Sequence, residues 1–329
     1  MSKNKKIIMW VGIGIVVIGI CIGGWFFYKN YIAKESSPMT DLREPGKPIE
    51  KEPVEEKTTT PETCFTIVSG VITKYDYECG TEVAIPDTIK DEEVVEIGER
   101  VFDEMGLTKV IFNTKHLKTI GYYSFNNNHL TEVTIPETVT KIDEAAFNRN
   151  DLTKITIPKS VTKLNGWAFS SNELVSVVFE DGINLSKIGY SCFQENKLRS
   201  ITIPDSVVTV EYDAFMNNNL TEINFGKVET LENGVFSRND LVSITLPTTL
   251  KYIGGGAFQY NELESLTIPS NVMTIKGEAF EDNSLREVII EGKSSEDDFE
   301  SIGSGIYGWY SLWGFADGYD KENNLRFEK

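Results

Sequence analysis

Histidine and cysteine are scarce in this 329-residue chain, which holds two histidines, His116 and His129, and four cysteines, Cys21, Cys64, Cys79 and Cys192. A zinc centre or imidazole-based catalysis therefore has few residues to draw on. No C-x-x-C pair occurs. Gly254-Gly255-Gly256 lacks the following Lys-Ser/Thr that a phosphate loop needs. Net positive charge is confined to the N-terminus. The formal net charge is −18, and residues 1–34 carry five lysines and no acid, so the rest carries −18 − 5 = −23. A surface that acidic repels a phosphate backbone, which argues against a nucleic-acid partner. The many acids form no catalytic pairing, and Asp317, Asp320 and Glu322 fit no calcium-loop spacing. No catalytic, cofactor-binding or metal-binding residue is expected, and the chain reads as a non-enzyme.

One long apolar run is present. Residues 7–28 contain no charged side chain, and these 22 residues as a helix would reach about 33 Å, against a hydrocarbon core of ~30 Å. Lys3, Lys5 and Lys6 precede the run. Trp10 lies near its start and Trp25, Phe26, Phe27 and Tyr28 at its end, as in interfacial aromatic belts. The reading is an uncleaved single-pass anchor with residues 1–6 in the cytoplasm and the rest outside. A cleaved signal peptide has a shorter apolar core. A lipoprotein signal ending at Cys21 would want a small residue where Ile20 stands. Gly19 and Gly23 form a small-xxx-small pair that could also pair helices.

Residues 29–63 read as a spacer. Its 35–63 portion holds five prolines, eight acids, four bases and few apolar residues, so it cannot build a core. In an extended polyproline-like state it could reach roughly 90 Å.

Beyond it the chain repeats itself. Phe102, Phe125, Phe147, Phe169, Phe193, Phe215, Phe236, Phe258 and Phe280 follow one another at 21 to 24 residues. Five residues before each stands an aliphatic, from Ile97 to Ile275, and five after each stands leucine, from Leu107 to Leu285. From each leucine runs L-x-x-(V/I/L)-x-(I/F/L), often ending in proline, as at Pro136, Pro158, Pro204, Pro247 and Pro269. The period-2 pair predicts a short strand with one face inward. Asn113, Glu180, Gly226 and Glu291 occupy the proline slot in four units. Three residues after the phenylalanine comes asparagine, at Asn128, Asn150, Asn172, Asn196, Asn218, Asn239, Asn261 and Asn283, with Met105 in the first unit. An amide with donors and an acceptor can satisfy the backbone of its own coil and of the next one, so this column reads as structural.

The predicted object is a solenoid whose coils cannot bury their apolar residues singly and do so by stacking. At about 4.8 Å per strand, nine coils make a sheet of roughly 40 Å.

The unit beginning at Leu130, which reads Leu-Thr-Glu-Val-Thr-Ile-Pro-Glu-Thr-Val-Thr-Lys-Ile-Asp-Glu-Ala-Ala-Phe-Asn-Arg-Asn, resembles the Treponema pallidum-type, or BspA-like, bacterial leucine-rich repeat. The resemblance covers about residues 64–292. It implies parallel strands on one face and turns, short strands and short helical pieces on the other. It also implies bacterial surface proteins that bind macromolecules with no shared catalytic centre. One departure is the missing C-terminal sorting motif, so the N-terminal run must do the anchoring.

Residues 64–90 read as an N-terminal cap, with two strands about Ser69-Gly70 and a degenerate unit at Ile85-Pro86. Residues 91–292 hold the repeats and 293–329 a C-terminal cap. Cys64 and Cys79 are 15 apart, and a disulfide closing that loop would contribute about 3 kcal/mol. The alternative is two unpaired thiols. Cys192 stands where other units have alanine and reads as a small buried residue. The aromatics Trp309, Tyr310 and Trp313 either cover the last coil or form an exposed patch on which sugar rings could stack. The outward strand positions include Lys109, Glu132, Lys154, Glu222 and Glu287, a polar candidate binding face poor in Tyr, Trp and Arg. Tyr122, Tyr123, Trp167, Tyr190, Tyr212 and Tyr252, at outer turns, either form a second contact surface or pack between neighbouring coils. The functional expectation is a membrane-anchored, non-catalytic bacterial surface protein that binds another protein or mediates adhesion. The alternative is an envelope scaffold binding wall polymers or carbohydrate. The ligand and the oligomeric state are not written in the sequence.

Overall fold

The computed structural model describes residues 59–293 and the backbone of strands Ser301–Ile302 and Leu325–Glu328. The apolar run 7–28, most of the spacer and the aromatics Trp309, Tyr310 and Trp313 lie outside the described residues. Among the described residues, no helix is long and apolar enough to cross a membrane.

The chain winds as a solenoid of stacked coils. The nine repeat phenylalanines form a single column, with neighbouring ring centroids 4.9 to 5.8 Å apart and ring planes within 1° to 20°. All nine are at most 2% exposed. Tyr75 and Phe65 extend the column at its N-terminal end, at 5.1 Å and 5.4 Å. Burying a phenylalanine contributes roughly 1.5–3 kcal/mol, so the column alone is a large share of the core. The leucines and aliphatics fixed to the same offsets share that core.

Three backbone ladders hold the coils together. The first runs through the two-residue strands before each phenylalanine. It forms two six-stranded sheets, one from Phe65–Val68 to Lys163–Leu164 and the other from Lys187–Ile188 to Ser301–Ile302. Every pairing in it is parallel except the hairpin of Phe65–Val68 with Val71–Tyr75, which turns on Ser69 and Gly70, both at positive φ.

The second ladder, on the leucine face, is not the continuous sheet that the sequence predicts. It is split into Glu82–Ile85 with Lys109–Phe112, Lys154–Ile157 with Ser176–Phe179, Ser200–Thr202 with Glu222–Asn224, and Ser265–Ile268 with Glu287–Glu291 and Leu325–Glu328. The break points follow proline. A repeat coil pairs with the coil before it where its own slot holds Asn113, Glu180, Gly226 or Glu291, and does not where it holds Pro136, Pro158, Pro204, Pro247 or Pro269. Asn113 N–H donates to Ile85 O at 2.9 Å and Glu180 N–H to Ile157 O at 3.0 Å. Proline has no such hydrogen to give. Proline therefore does more than end its own strand: it withholds the bond to the preceding coil.

The third ladder lies around the phenylalanines. Tyr123, Phe125 and Asn127 donate their amides to Glu144, Ala146 and Asn148 of the next coil, each at 2.9 Å, and the pattern recurs along the stack. The residues two before and two after each phenylalanine take positive φ, as Ala145 and Arg149 do at 54°. Such a conformation costs about 1–2 kcal/mol for a residue with a Cβ, and the inter-coil hydrogen bonds offset it. This side holds the tight turns and short strands that the family resemblance implies, without its short helical pieces among the described repeats. Helical pieces among the described residues are the 3-10 turns Glu62–Cys64 and Tyr77–Cys79 of the N-terminal segment.

Candidate functional site

The eight asparagines sit at the inside of the turns, where they link each coil to the one before it. Each Oδ1 accepts the amide of the preceding unit's leucine at 2.8 to 3.1 Å, from Leu107–Asn128 to Leu263–Asn283. Each Nδ2 donates to the preceding phenylalanine carbonyl at 2.8 to 3.0 Å. It also donates to its own unit's phenylalanine carbonyl at 3.0 to 3.2 Å. The link runs to the preceding coil and not, as the sequence reading has it, to the next. Met105 replaces asparagine in the first unit, where no full repeat precedes. These amides are spent on backbone groups and carry no ligand chemistry.

Cys64 and Cys79 are joined by a disulfide, with their Cα atoms 6.0 Å apart. Cys192 is fully buried, and burial raises its thiol pKa well above the usual value. A thiol so placed is a poor nucleophile. His116 lies within 3.2 Å of Asp87 and 3.6 Å of Glu93, and His129 within 3.4 Å of Asp151. Asp87 is held below the usual carboxylate range, chiefly by the Lys115 amide. Among the described residues, no group of three or more His, Cys, Asp or Glu could hold a metal.

Two outer surfaces remain. On the leucine face, Glu132, Lys154, Glu222 and Glu287 are exposed and Lys109 is half-buried. Exposed threonines such as Thr134, Thr156, Thr202, Thr245 and Thr267 line the same strands, and Val175, Val178 and Val242 add an apolar contribution. Because of the proline breaks, this face is a series of short patches.

The outer-turn aromatics form a more ordered surface. Tyr122 and Tyr123 have ring centroids 4.5 Å apart. Trp167 meets Tyr190 edge-on at 4.6 Å, and Tyr190 stacks on Tyr212 at 5.0 Å and 16°. Tyr190 leans over Gly166, where a Cβ would lie 2.4 Å from the tyrosine ring, so the absence of a side chain there admits the stack. Burial, then a hydrogen bond with the Glu144 carboxylate, raises the Tyr190 hydroxyl pKa well above its usual value. These rings thus pack between coils and remain partly open to solvent: Tyr212 is 45% exposed. Behind Tyr212 lies an open groove of about 350 Å³ lined by Tyr212, Thr230, Glu232, Asn233 and Tyr252. The sequence locates the tyrosines; the groove depends on which way their rings lean, which no repeat offset encodes.

The BspA type leucine rich repeat region matches residues 75–196 and 186–304, in six copies. The chain belongs to that family. Leucine-rich repeats generally mediate protein contacts and are generally non-enzymatic. No curated protein matches the chain. A leucine-rich repeat protein from Bacteroides ovatus is similar over 71% of this chain and 68% of its own, with 22% identity and a TM-score of 0.56. The T. pallidum leucine rich repeat protein is 19% identical over 55% of this chain and 89% of its own, with a TM-score of 0.41. The pneumococcal vaccine antigen PcpA is 20% identical over 76% of this chain and 79% of its own, with a TM-score of 0.45. Of these three, the Bacteroides protein overlaps well enough to show a shared leucine-rich repeat fold.

Proposed function

We propose that this chain is a membrane-tethered bacterial surface protein whose repeat stack binds another protein and catalyses nothing. The observation that carries this reading is the stack itself. Its polar ladders and its aromatic column are turned inward and used up between coils, leaving a rigid outer surface as the means of action. The apolar run 7–28 and its preceding lysines support an anchor with the repeats outside. The Cys64–Cys79 disulfide supports the same side, since such bonds persist in oxidising surroundings. In this reading residues 29–63 are the spacer, and residues 64–90 and 293–329 close the two ends of the 91–292 stack.

Two measurements test it. A membrane-impermeant label on intact cells is expected to reach the repeats and not the first six residues; the reverse pattern would overturn the topology. In-cell crosslinking of the full chain is expected to capture a protein. Retention of purified wall polymer with no protein captured would replace this reading with that of an envelope scaffold.

A further inference from the structure

The outer-turn aromatic stack stops short at one coil. Tyr190 and Tyr212 occupy the second position after the short strands Lys187–Ile188 and Thr209–Val210. In the next coil, after Thr230–Leu231, the same position is Asn233, followed by Gly234. The coil after that has Gly255 at this position, and its Tyr252 stands earlier, within strand Tyr252–Ile253 beside Thr230. Tyr212 has one face on Tyr190, and one face of Tyr252 has the Lys276 ammonium over it, 5.9 Å from the ring centroid, so each tyrosine has a single face left for the groove. One coil lies between those of the two tyrosines, so two strand spacings, roughly 10 Å, separate the coils. The groove of about 350 Å³ fills that interval.

At the groove sits Glu232. One of its carboxylate oxygens accepts the Tyr212 amide at 3.2 Å. Among the described residues it has no cationic partner, whereas the neighbouring Glu211 has Lys187. The groove therefore combines aromatic side chains with an uncompensated carboxylate, in a chain of net charge −18. That combination selects a flat cation, because a guanidinium stacks on an aromatic face and hydrogen-bonds in its own plane. The chain itself uses this arrangement twice. Arg100 lies over Tyr123 of the next coil at 4.6 Å, and Arg238 lies over Tyr260 at 4.3 Å. In the 231 coil the position that matches Arg100 is Gly234, and Arg238 of that coil is taken up by Tyr260.

We propose that the groove between Tyr212 and Tyr252 receives an arginine side chain from the bound protein, stacked on the tyrosines and paired with Glu232. This rests on the protein-binding reading above and names the chemistry of its partner.

The test uses the full chain in detergent and a fluorescent Gly/Ser octapeptide carrying two arginines, with twins carrying two lysines or two citrullines. The arginine peptide is expected to bind at least fivefold more tightly than the lysine twin, and the citrulline twin not measurably. Tyr212→Ala, Tyr252→Ala and Glu232→Gln are each expected to weaken arginine-peptide binding at least fivefold with the thermal transition unchanged, and Glu137→Gln, at an exposed position away from the groove, to leave it unaltered. Equal binding of arginine and lysine peptides, insensitive to the three substitutions, would mean bulk charge attraction and overturn the proposal. So would a neutral chito-oligosaccharide that binds instead and is lost in the same variants. If crosslinking still captures a protein with the triple variant at wild-type yield, the groove assignment falls and the protein-binding reading stands. If the peptide binds through Tyr212 but no protein is captured in cells, the protein-binding reading falls and the groove's arginine preference stands.

Discussion

Replacing Asn196 by alanine removes a four-way link between two coils. Its Oδ1 accepts from Leu174 N–H at 3.0 Å, and its Nδ2 donates to Phe169 O at 3.0 Å, Phe193 O at 3.1 Å and Gln194 O at 3.2 Å. Asn196 is 6% exposed and Leu174 is fully buried, so water does not readily replace the lost partners. The orphaned Leu174 amide costs about 1–3 kcal/mol, and the two lost amide hydrogens add about 1 kcal/mol each at most. The expected destabilisation is about 1–5 kcal/mol. The control is Asn219→Ala, an exposed asparagine bonded to Asp240, expected within about 0.5 kcal/mol of wild type. Denaturant unfolding of the full chain measures both. Because a solenoid is held by nearest-neighbour contacts, the damage should also be local. Hydrogen exchange should speed most at Leu174 and its neighbours and least at the ends of the stack. An Asn196→Ala variant as stable as the Asn219→Ala control would refute the reasoning, and so would exchange that speeds uniformly along the chain.

Phe193→Ala should cost about 3–5 kcal/mol, because it opens a cavity in a column whose neighbours sit 5.8 and 5.4 Å away; calorimetry or denaturant titration checks this. Glu180→Pro should remove the bond to Ile157 O and split the Lys154–Ile157 ladder, raising hydrogen exchange there; the reciprocal Pro136→Asn should allow a new pairing with Lys109–Phe112. Reducing the Cys64–Cys79 bond should cost about 3 kcal/mol and loosen the Phe65–Val68 hairpin first, which proteolysis at the N-terminal end would report. Burial alone would raise the Asp143 pKa, but hydrogen bonds from Lys141, Asn165 and the Glu144 amide outweigh it and lower it. Its contribution is therefore complete above the unfolded value of about 4 and lost as pH falls below that, so Asp143→Asn should flatten the acid limb of a stability–pH curve.

Much of the fold was legible because the repeat is strict. A phenylalanine with an aliphatic five before it and a leucine five after it, nine times over, leaves one way to align the coils, and the aromatic column follows. The asparagine column was legible as structural for the same reason, although offset alone does not say whether the amide reaches forward or back. The proline breaks were half legible. Proline was visible in five units, but its consequence falls on the previous coil and needs the ladder geometry to be seen. The turns around the phenylalanines were not legible, since residues as different as Tyr123, Ala145, Trp167 and Asp213 all adopt the left-handed conformation there. Inter-coil hydrogen bonds impose that conformation, and propensity does not predict it. The aromatic groove was the least legible of all. Its position depends on Gly166 giving way to Tyr190, and on Asn233 ending the tyrosine series after Tyr212, two local departures that a consensus averages out.

The most direct check is a crystal structure of the repeats. It should show the nine phenylalanine rings in one column at 4.9 to 5.8 Å, with each asparagine amide bonded to the leucine amide of the coil before it. Rings dispersed among separate clusters, or asparagine side chains pointing into solvent, would contradict the account.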